Sequence, residues 1–293
     1  MDFIDDSDED DESQQHGNEW NETLRADNLS KRPESCGVMQ FHNGIEEALL
    51  LHVQRSVTNV SAKHVIEAVD QYCYSRHWMM HVGDEKGAIL DRVVDELQVD
   101  GLEVNIVEIG SYCGYSAVRM ASQLTNKSSK VYCIERESQC VEWTRRLAAM
   151  AGLTDAIIVI EGEVPSGIEY LQRTLQASID LLFIDHDKSL YLRDLVLFEK
   201  SGLLRAGGVV VADNVLSFGC PLDDYMQHVR RRSSDSSVSP VVYGSSTLHR
   251  SCVEYSAAGG QDGSSLPAGH YLEDGVEVSV IETVSNREEG GES

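Results

Sequence analysis

The chain has 293 residues, enough for one large domain or two small ones. Its composition, 41% apolar and 25% charged, is that of a globular protein, and no run of about 18 apolar residues predicts a membrane-spanning helix. A formal net charge of −25 disfavours binding to nucleic acid or to an anionic membrane, because both require basic patches. The composition therefore favours a small-molecule substrate.

The two ends of the chain are more polar than the rest. Residues 1–40 carry twelve Asp and Glu against three Lys and Arg, a net charge of −9, so we predict a disordered acidic tail, either a solubilising extension or a regulatory arm. Residues 286–293 are predicted to be a frayed C-terminus. The acidic start is unlike a secretory signal, and the seven scattered cysteines lack CxxC spacing. We therefore expect a cytoplasmic protein with reduced thiols.

Between these ends, the spacing of apolar residues predicts the secondary structure. Helical spacing indicates two helices before the first strand, near residues 65–73 and 89–97. Five apolar runs then alternate with helix-length amphipathic stretches, and they lie at 104–109, 131–134, 157–160, 181–184 and 209–211. Such alternation predicts a Rossmann-like, doubly wound α/β fold with a mostly parallel sheet and helices on both faces.

The last part of the chain departs from this alternation. One helix is predicted at Asp223–Arg230, followed by extended segments near 252–255 and 276–281. These two segments indicate an antiparallel closing hairpin, which would bring the sheet to seven strands. The Gly- and Ser-rich stretch 256–269 reads as an exposed loop within the hairpin.

A glycine-rich turn follows the first strand. Residues 108–116 read Glu-Ile-Gly-Ser-Tyr-Cys-Gly-Tyr-Ser and lead into a helix. At the carboxyl end of a parallel strand, glycines allow the backbone to approach a ligand, and the helix N-terminus presents free N–H groups. The Gly-xxx-Gly spacing lacks the three-glycine dinucleotide fingerprint, so a tight turn capped by Ser116 is the alternative interpretation.

Two glutamates strengthen the cofactor interpretation. Glu135 ends the next strand, where a carboxylate can accept hydrogen bonds from both ribose hydroxyls, although a solvent-facing glutamate is the alternative. Glu108 lies inside an apolar strand, where an unpaired carboxylate is costly, so a cationic partner such as a ligand amino group is expected. Together with the turn, they indicate an adenosyl cofactor.

Acidic and polar residues also end two later strands. Asp185, His186 and Lys188 follow the fourth strand, and Asp213 and Asn214 follow the fifth. Two carboxylates and a carboxamide oxygen suit a hard cation such as Mg²⁺. In the alternative interpretation, Asp185 and Asp213 cap the helices and turns that follow them. A histidine beside carboxylates is more often a hydrogen-bonding residue than a ligand, so it is not assigned to the metal. A partly desolvated lysine near a divalent cation could act as a general base, although an exposed lysine is the alternative.

These motifs resemble the animal-type catechol O-methyltransferase family over about residues 44–285. The similar segments are 78–87, 108–120, 202–205, 212–215 and 253–255, and they occur in the family's order. The resemblance implies S-adenosylmethionine as methyl donor, Mg²⁺ as metal and a small-molecule diol as substrate. It also implies a domain spanning 44–285, which we expect to be a monomer.

The resemblance further implies a role for individual residues. The cofactor would contact Val82, Glu108, Gly110, Tyr112, Ser116, Glu135, Arg136, Val164, Asp185 and His186. Asp185, Asp213 and Asn214 would bind Mg²⁺, and Lys188 would take the proton from the attacking hydroxyl. Glu254 would accept a hydrogen bond from the second hydroxyl. The substrate slot would comprise Trp78, Met80, Lys188, Asn214, Phe218 and Glu254.

Several positions depart from the family's pattern. Asp187 stands where the family has an aromatic residue, and Phe218 where it has a proline. Glu163 and Val164 replace a small and a hydroxyl-bearing residue, and Arg136 replaces an apolar one. Adenine would lose a packing surface at Asp187, while the Arg136 guanidinium could stack on the ring instead. These departures and the acidic tail leave a cofactor-binding but inactive regulator as one alternative function. A nicotinamide-dependent oxidoreductase, which shares the sheet and the carboxylate that binds ribose, is the other.

Overall fold

A computed structural model of the chain describes residues 44–77, 79–216, 222–231, 239–252 and 273–285. The predicted tails at 1–40 and 286–293 and the predicted loop at 256–269 lie outside these ranges. Within them, no helix combines the length and the apolar character needed to cross a membrane.

Seven strands of the described residues form one sheet in the order β3-β2-β1-β4-β5-β7-β6. The first five are parallel and comprise β1 Asn105–Ile109, β2 Lys130–Glu135, β3 Ile157–Glu161, β4 Ile179–Ile184 and β5 Leu204–Ala212. β2 to β5 each contain the apolar run that predicted them, and β1 begins one residue after the start of its run at 104–109. The strand order reverses at β1, whose neighbours are β2 and β4, so ligands are expected in the crevice at the carboxyl ends of these strands.

Antiparallel strands close the sheet at one edge. β6 Val241–Cys252 pairs with β7 Glu273–Val284, and β7 also pairs with β5. The predicted hairpin is therefore present, but the prediction placed its first strand too late. That strand begins at Val241 and contains polar residues, such as Ser245, Ser246 and Thr247, that pair with β7. Because these residues interrupt the apolar pattern, a search for apolar runs does not detect the start of the strand.

Helices cover both faces of the sheet. One apolar core contains residues of α1 Ile45–Ser56, α2 Ala62–Ser75, α3 Gly83–Leu97, α4 Tyr115–Gln123 and α5 Ser138–Ala151. The core on the opposite face contains residues of α6 Val164–Thr174, α7 Tyr191–Lys200 and α8 Asp223–Val229. Within the described ranges, this arrangement confirms the predicted doubly wound architecture.

The prediction of two helices before β1 is wrong, because α1 was missed. Three apolar residues on its inner face, Leu49, Leu50 and Val53, are fully buried in the first core. Their helical spacing was present in the sequence, beside a stretch interpreted as tail. The burial of this face provides the free energy that a short isolated helix lacks.

Candidate active site

The turn after β1 is held tightly against the end of β4. Gly110 N–H donates to the Ile134 carbonyl of β2 at 3.0 Å, and Asp185 N–H donates to the Ile109 carbonyl of β1 at 3.0 Å. Gly110 has φ +86°, and a Cβ atom there would lie 2.5 Å from the Asp185 carbonyl oxygen. Only glycine fits this position, because any side chain would need both the left-handed conformation and the occupied space.

Glu135 organises this turn and is not solvent-facing. Its Oε2 accepts from the N–H groups of Ser111 at 3.0 Å and Tyr112 at 3.1 Å, and its Oε1 accepts from Glu137 N–H at 3.0 Å. The side chain is 7% exposed. The carboxylate at the end of β2 thus supports the backbone of the turn, and its Oε1, which accepts only one of these three hydrogen bonds, can accept from a further donor.

Glu108 is completely buried in the centre of β1. Ser116 Oγ donates a short hydrogen bond to its Oε1, and Cys133 Sγ donates to its Oε2 at 3.2 Å. Burial raises the pKa of this carboxyl from 4.5 to about 8, against the opposing effect of the two hydrogen bonds. The alternative in which Ser116 caps α4 is wrong, since the cap residue is Gly114 and the Ser116 side chain contacts Glu108.

The other predicted cofactor residues lie on several different elements. Tyr112 has φ 47°, and its hydroxyl donates to Glu46 Oε1 at 3.1 Å. Val82 precedes α3 and Val164 begins α6, and both are buried. Arg136 follows β2 and is about half exposed, with Nε 3.4 Å from Glu137 Oε1. Met80, predicted to contact substrate, is half-buried.

The polar residues after β4 and β5 converge on one lysine. Lys188 Nζ donates to Asp185 Oδ1 at 3.1 Å and to Asn214 Oδ1 at 2.7 Å. Asp213 N–H donates to the Ile184 carbonyl of β4 at 3.0 Å, which fixes the two strand ends side by side. Asn214 has φ +54°, a conformation that asparagine tolerates better than most residues. These distances bring Asp185, Lys188 and Asn214 together at the carboxyl ends of β4 and β5.

Three residues of this cluster were missed from the sequence. Tyr191 is fully buried, and its hydroxyl accepts from Lys188 Nζ at 2.7 Å and donates to the Asp213 carbonyl at 3.2 Å. Lys86 in α3 and Asp274 in β7 are also buried, with Lys86 Nζ 2.7 Å from Asp274 Oδ2. A tyrosine three residues after a candidate base is a weak sequence signal, and a lysine that follows two acidic residues gives none.

His186 and Asp187 have structural partners of their own. His186 Nε2 lies 2.8 Å from Asp194 Oδ2, and its ring stacks on Tyr191 with the ring planes 13° apart. Asp187 Oδ1 accepts from the N–H and the hydroxyl of Ser189 and so caps the short 3-10 helix Lys188–Leu190. The capping role proposed as an alternative for Asp185 is thus performed by Asp187.

The described residues include the predicted metal ligands and half of the predicted substrate residues. Within the described ranges, no group of three or more His, Cys, Asp or Glu side chains is arranged to hold a metal ion. The predicted ligands are two carboxylates and one carboxamide, Asp185, Asp213 and Asn214. Three predicted substrate residues, Trp78, Phe218 and Glu254, lie outside the described residues.

Solved structures share this fold. The O-methyltransferase TomG from Streptomyces achromogenes, solved in complex with SAM, aligns with a TM-score of 0.53 and 18% identity, over 91% of this chain and 98% of that chain. An O-methyltransferase from Bacillus cereus, solved with SAH, aligns with a TM-score of 0.52 and 19% identity, over 90% of this chain and 99% of that chain. These likenesses place the chain in the class of folds to which these solved O-methyltransferases belong.

Sequence comparison narrows this class to a family. The family model described as O-methyltransferase matches residues 55–235. Catechol O-methyltransferase of Bos taurus is 39% identical over 189 residues, which cover 64% of this chain and 67% of the relative. Catechol O-methyltransferase B of Danio rerio is 36% identical over 236 residues, which cover 80% and 78%. The chain belongs to the O-methyltransferase family, which confirms the predicted resemblance and sets aside the nicotinamide-dependent alternative.

Proposed function

We propose that this protein transfers the methyl group of S-adenosylmethionine to one hydroxyl of a catechol-like diol in a Mg²⁺-dependent reaction. One observation carries the proposal: a single amine, Lys188 Nζ, contacts both Asp185 Oδ1 and Asn214 Oδ1. The proposed proton acceptor and two of the proposed oxygen ligands are therefore adjacent, beside the turn that follows β1. The relatives named catechol O-methyltransferase support the choice of substrate.

The residues around the turn would hold the cofactor, which supplies an electrophilic methyl group. Glu108 would bind the amino group of its methionine part, and Glu135 would accept hydrogen bonds from the ribose hydroxyls. Gly110 would let the backbone approach the ligand. A side chain there would also collide with the Asp185 carbonyl oxygen. Val82, Tyr112, Ser116, Arg136, Val164 and His186 complete the proposed pocket.

Asp185, Asp213 and Asn214 would hold Mg²⁺, since hard oxygen donors of this kind suit that ion. The ion would supply positive charge that favours ionisation of the reacting hydroxyl and would orient two vicinal oxygens. Lys188 would accept the hydroxyl proton at Nζ, and the Tyr191 hydroxyl 2.7 Å away would hold this amine in place. The remaining acceleration would come from proximity and orientation of the two reactants.

The proposed substrate slot comprises Trp78, Met80, Phe218 and Glu254, together with Lys188 and Asn214. Glu254 would accept a hydrogen bond from the hydroxyl that is not methylated. We further propose that residues 44–285 form the catalytic domain, that residues 1–40 and 286–293 lie outside it, and that the protein acts in the cytoplasm as a monomer.

The test compares catechol, phenol and 2-methoxyphenol as acceptors with labelled S-adenosylmethionine, with Mg²⁺ or with EDTA. We expect a methyl ether from catechol alone and its loss in EDTA, because the metal needs two adjacent oxygens. Methylation of phenol at the same rate would refute the diol requirement, and turnover in EDTA would refute the metal requirement. Binding of S-adenosylhomocysteine without turnover on any diol would identify an inactive, cofactor-binding relative.

A second experiment tests the proton acceptor. Lys188→Met should lower kcat by about 100-fold or more, the usual contribution of general base catalysis, with little change in S-adenosylhomocysteine affinity. Lys200→Met, at the exposed last residue of α7, is the matched control and should leave both unchanged. Equal losses of kcat and of cofactor affinity in Lys188→Met would contradict the proposed role.

A further inference from the structure

A buried ion pair lies behind the proposed metal ligands. Lys86 in α3 is 1% exposed, and Asp274 in β7 is completely buried. Lys86 Nζ lies 2.7 Å from Asp274 Oδ2 and 2.7 Å from Asp213 Oδ1. One ammonium group therefore contacts a proposed metal ligand and a second carboxylate that is not one of the proposed ligands. A charge removed from water is costly unless it is paired, so this arrangement calls for a reason.

Asp274 of this ion pair, together with Lys188, determines the orientation of the Asn214 amide. Asn214 Nδ2 donates to Asp274 Oδ2 at 2.7 Å, while its Oδ1 accepts from Lys188 Nζ at 2.7 Å. Rotating the amide by 180° would place the oxygen against the carboxylate and the NH₂ group against the ammonium. Both new contacts would be repulsive. The carboxamide is consequently held with its oxygen, the only atom that can ligate a hard cation, toward Lys188 and Asp185.

The backbone is held at the same place. Val215 N–H donates to the Gly275 carbonyl at 3.0 Å, so the segment after β5 is bonded to the residue that follows Asp274. Asn214 itself has φ +54°, which a stabilising contact to its side chain helps to maintain. Contacts from β7 thus hold Asn214 and the backbone after it, while Lys86 of α3 contacts Asp213.

We propose that Lys86 and Asp274 are positioning residues that orient Asp213 and Asn214 toward the divalent cation. The inference rests on the proposed function, since it assumes that these residues are the ligands. Neither Lys86 nor Asp274 would be a ligand of the ion. Such supporting partners commonly change metal affinity by about 10- to 100-fold when they are replaced.

The direction in which Mg²⁺ affinity changes when Lys86 is replaced distinguishes positioning from a simple effect of charge. If Lys86 acted only through its charge, removing a cation near the metal would remove repulsion and strengthen Mg²⁺ binding. If it acts by positioning, its removal leaves Asp213 and Asp274 without their shared counter-ion. The proposed ligands Asp213 and Asn214 then lose their alignment. Lys86→Met, which keeps most of the side-chain volume, should therefore weaken Mg²⁺ binding by about 10-fold or more.

The experiment measures Mg²⁺ binding by calorimetry to the full chain saturated with S-adenosylhomocysteine, so no turnover is involved. S-adenosylhomocysteine affinity and thermal unfolding are measured in parallel on each variant. Asp274→Asn keeps an oxygen for Asn214 and should lose less Mg²⁺ affinity than Asp274→Ala, which keeps none. Cofactor affinity should stay within about threefold of the wild type, because Lys86 and Asp274 are proposed to act on the metal ligands and not on the residues that hold the cofactor.

Glu199→Gln is the matched control. Glu199 is a buried carboxylate that accepts from His228 Nε2 at 2.9 Å and from the Tyr243 hydroxyl at 2.7 Å. Its replacement removes a buried charge without touching the proposed ligands. It should lower thermal stability and leave Mg²⁺ affinity unchanged.

The outcomes separate this inference from the proposed function. A wild-type protein that binds no Mg²⁺ refutes both. Normal wild-type binding with equal or tighter binding by Lys86→Met refutes the positioning role alone. Equal binding by Asp274→Asn and Asp274→Ala, or a matching loss of S-adenosylhomocysteine affinity in the variants, also refutes it, because the pair would then act through charge or through the fold as a whole.

Discussion

Replacing Glu108 by glutamine should abolish a proton release that accompanies cofactor binding. Glu108 is buried in β1, and its pKa is raised to about 8, chiefly by burial and further by the carboxylates of Asp185 and Glu135. At pH 7 the ligand-free protein therefore holds a proton on this carboxyl. A ligand ammonium group bound to Glu108 would stabilise the ionised form and expel that proton.

The magnitude follows from the pKa. With a pKa of about 8, roughly 0.9 of the carboxyl is protonated at pH 7, so binding of S-adenosylhomocysteine should release close to one proton. Calorimetry in several buffers with different ionisation enthalpies, with EDTA present to remove metal, measures this number. Glu108→Gln should release none at this site, and Glu199→Gln should behave as the wild type.

The same carboxyl should make folding stability depend on pH. Its folded pKa lies above its ordinary value of 4.5, so the folded state binds the proton more tightly than the unfolded chain. Stability from this group is present below about pH 4.5 and declines as pH rises toward about 8. The loss at pH 7 is about 3 kcal/mol, from 1.36 kcal/mol per pH unit across this interval.

Chemical denaturation of the ligand-free protein between pH 5 and pH 8 measures this slope. Glu108→Gln should flatten it relative to the wild type, because glutamine does not titrate. An unchanged slope in the variant, together with equal proton release on cofactor binding, would refute both the raised pKa and the assignment of Glu108 to the ligand amino group.

Two further substitutions test the turn and the lysine. Gly110→Ala should weaken S-adenosylhomocysteine binding at least 10-fold and lower the melting temperature, because its Cβ would lie 2.5 Å from the Asp185 carbonyl oxygen. Gly202→Ala has a similar positive φ but open space around it, so it should cost only about 1–2 kcal/mol of stability; equal effects of the two would contradict the steric argument. Tyr191→Phe should lower kcat by about 10- to 100-fold at constant cofactor affinity, since Lys188 loses an acceptor 2.7 Å away, and an unchanged kcat would show that this contact is dispensable.

The sequence by itself determined the architecture and, to within one residue, the carboxyl ends of the five parallel strands. The apolar runs that became β1 to β5 were visible because a strand buried on both faces must be apolar throughout. Gly110 was visible because the turn needs a left-handed residue without a side chain. The polar residues after β4 and β5 could be assigned to one site because parallel strands end at the same edge of the sheet.

Only the tertiary structure decided which groups support that site. Lys86 and Asp274 are 188 positions apart in the chain, and no local pattern predicts that two such charges become buried together. The contact between Ser116 and Glu108 likewise depends on α4 packing over β1. The periodicity of apolar residues predicts which side chains are buried. The partner that stabilises a buried charge depends on how elements distant in the sequence pack together.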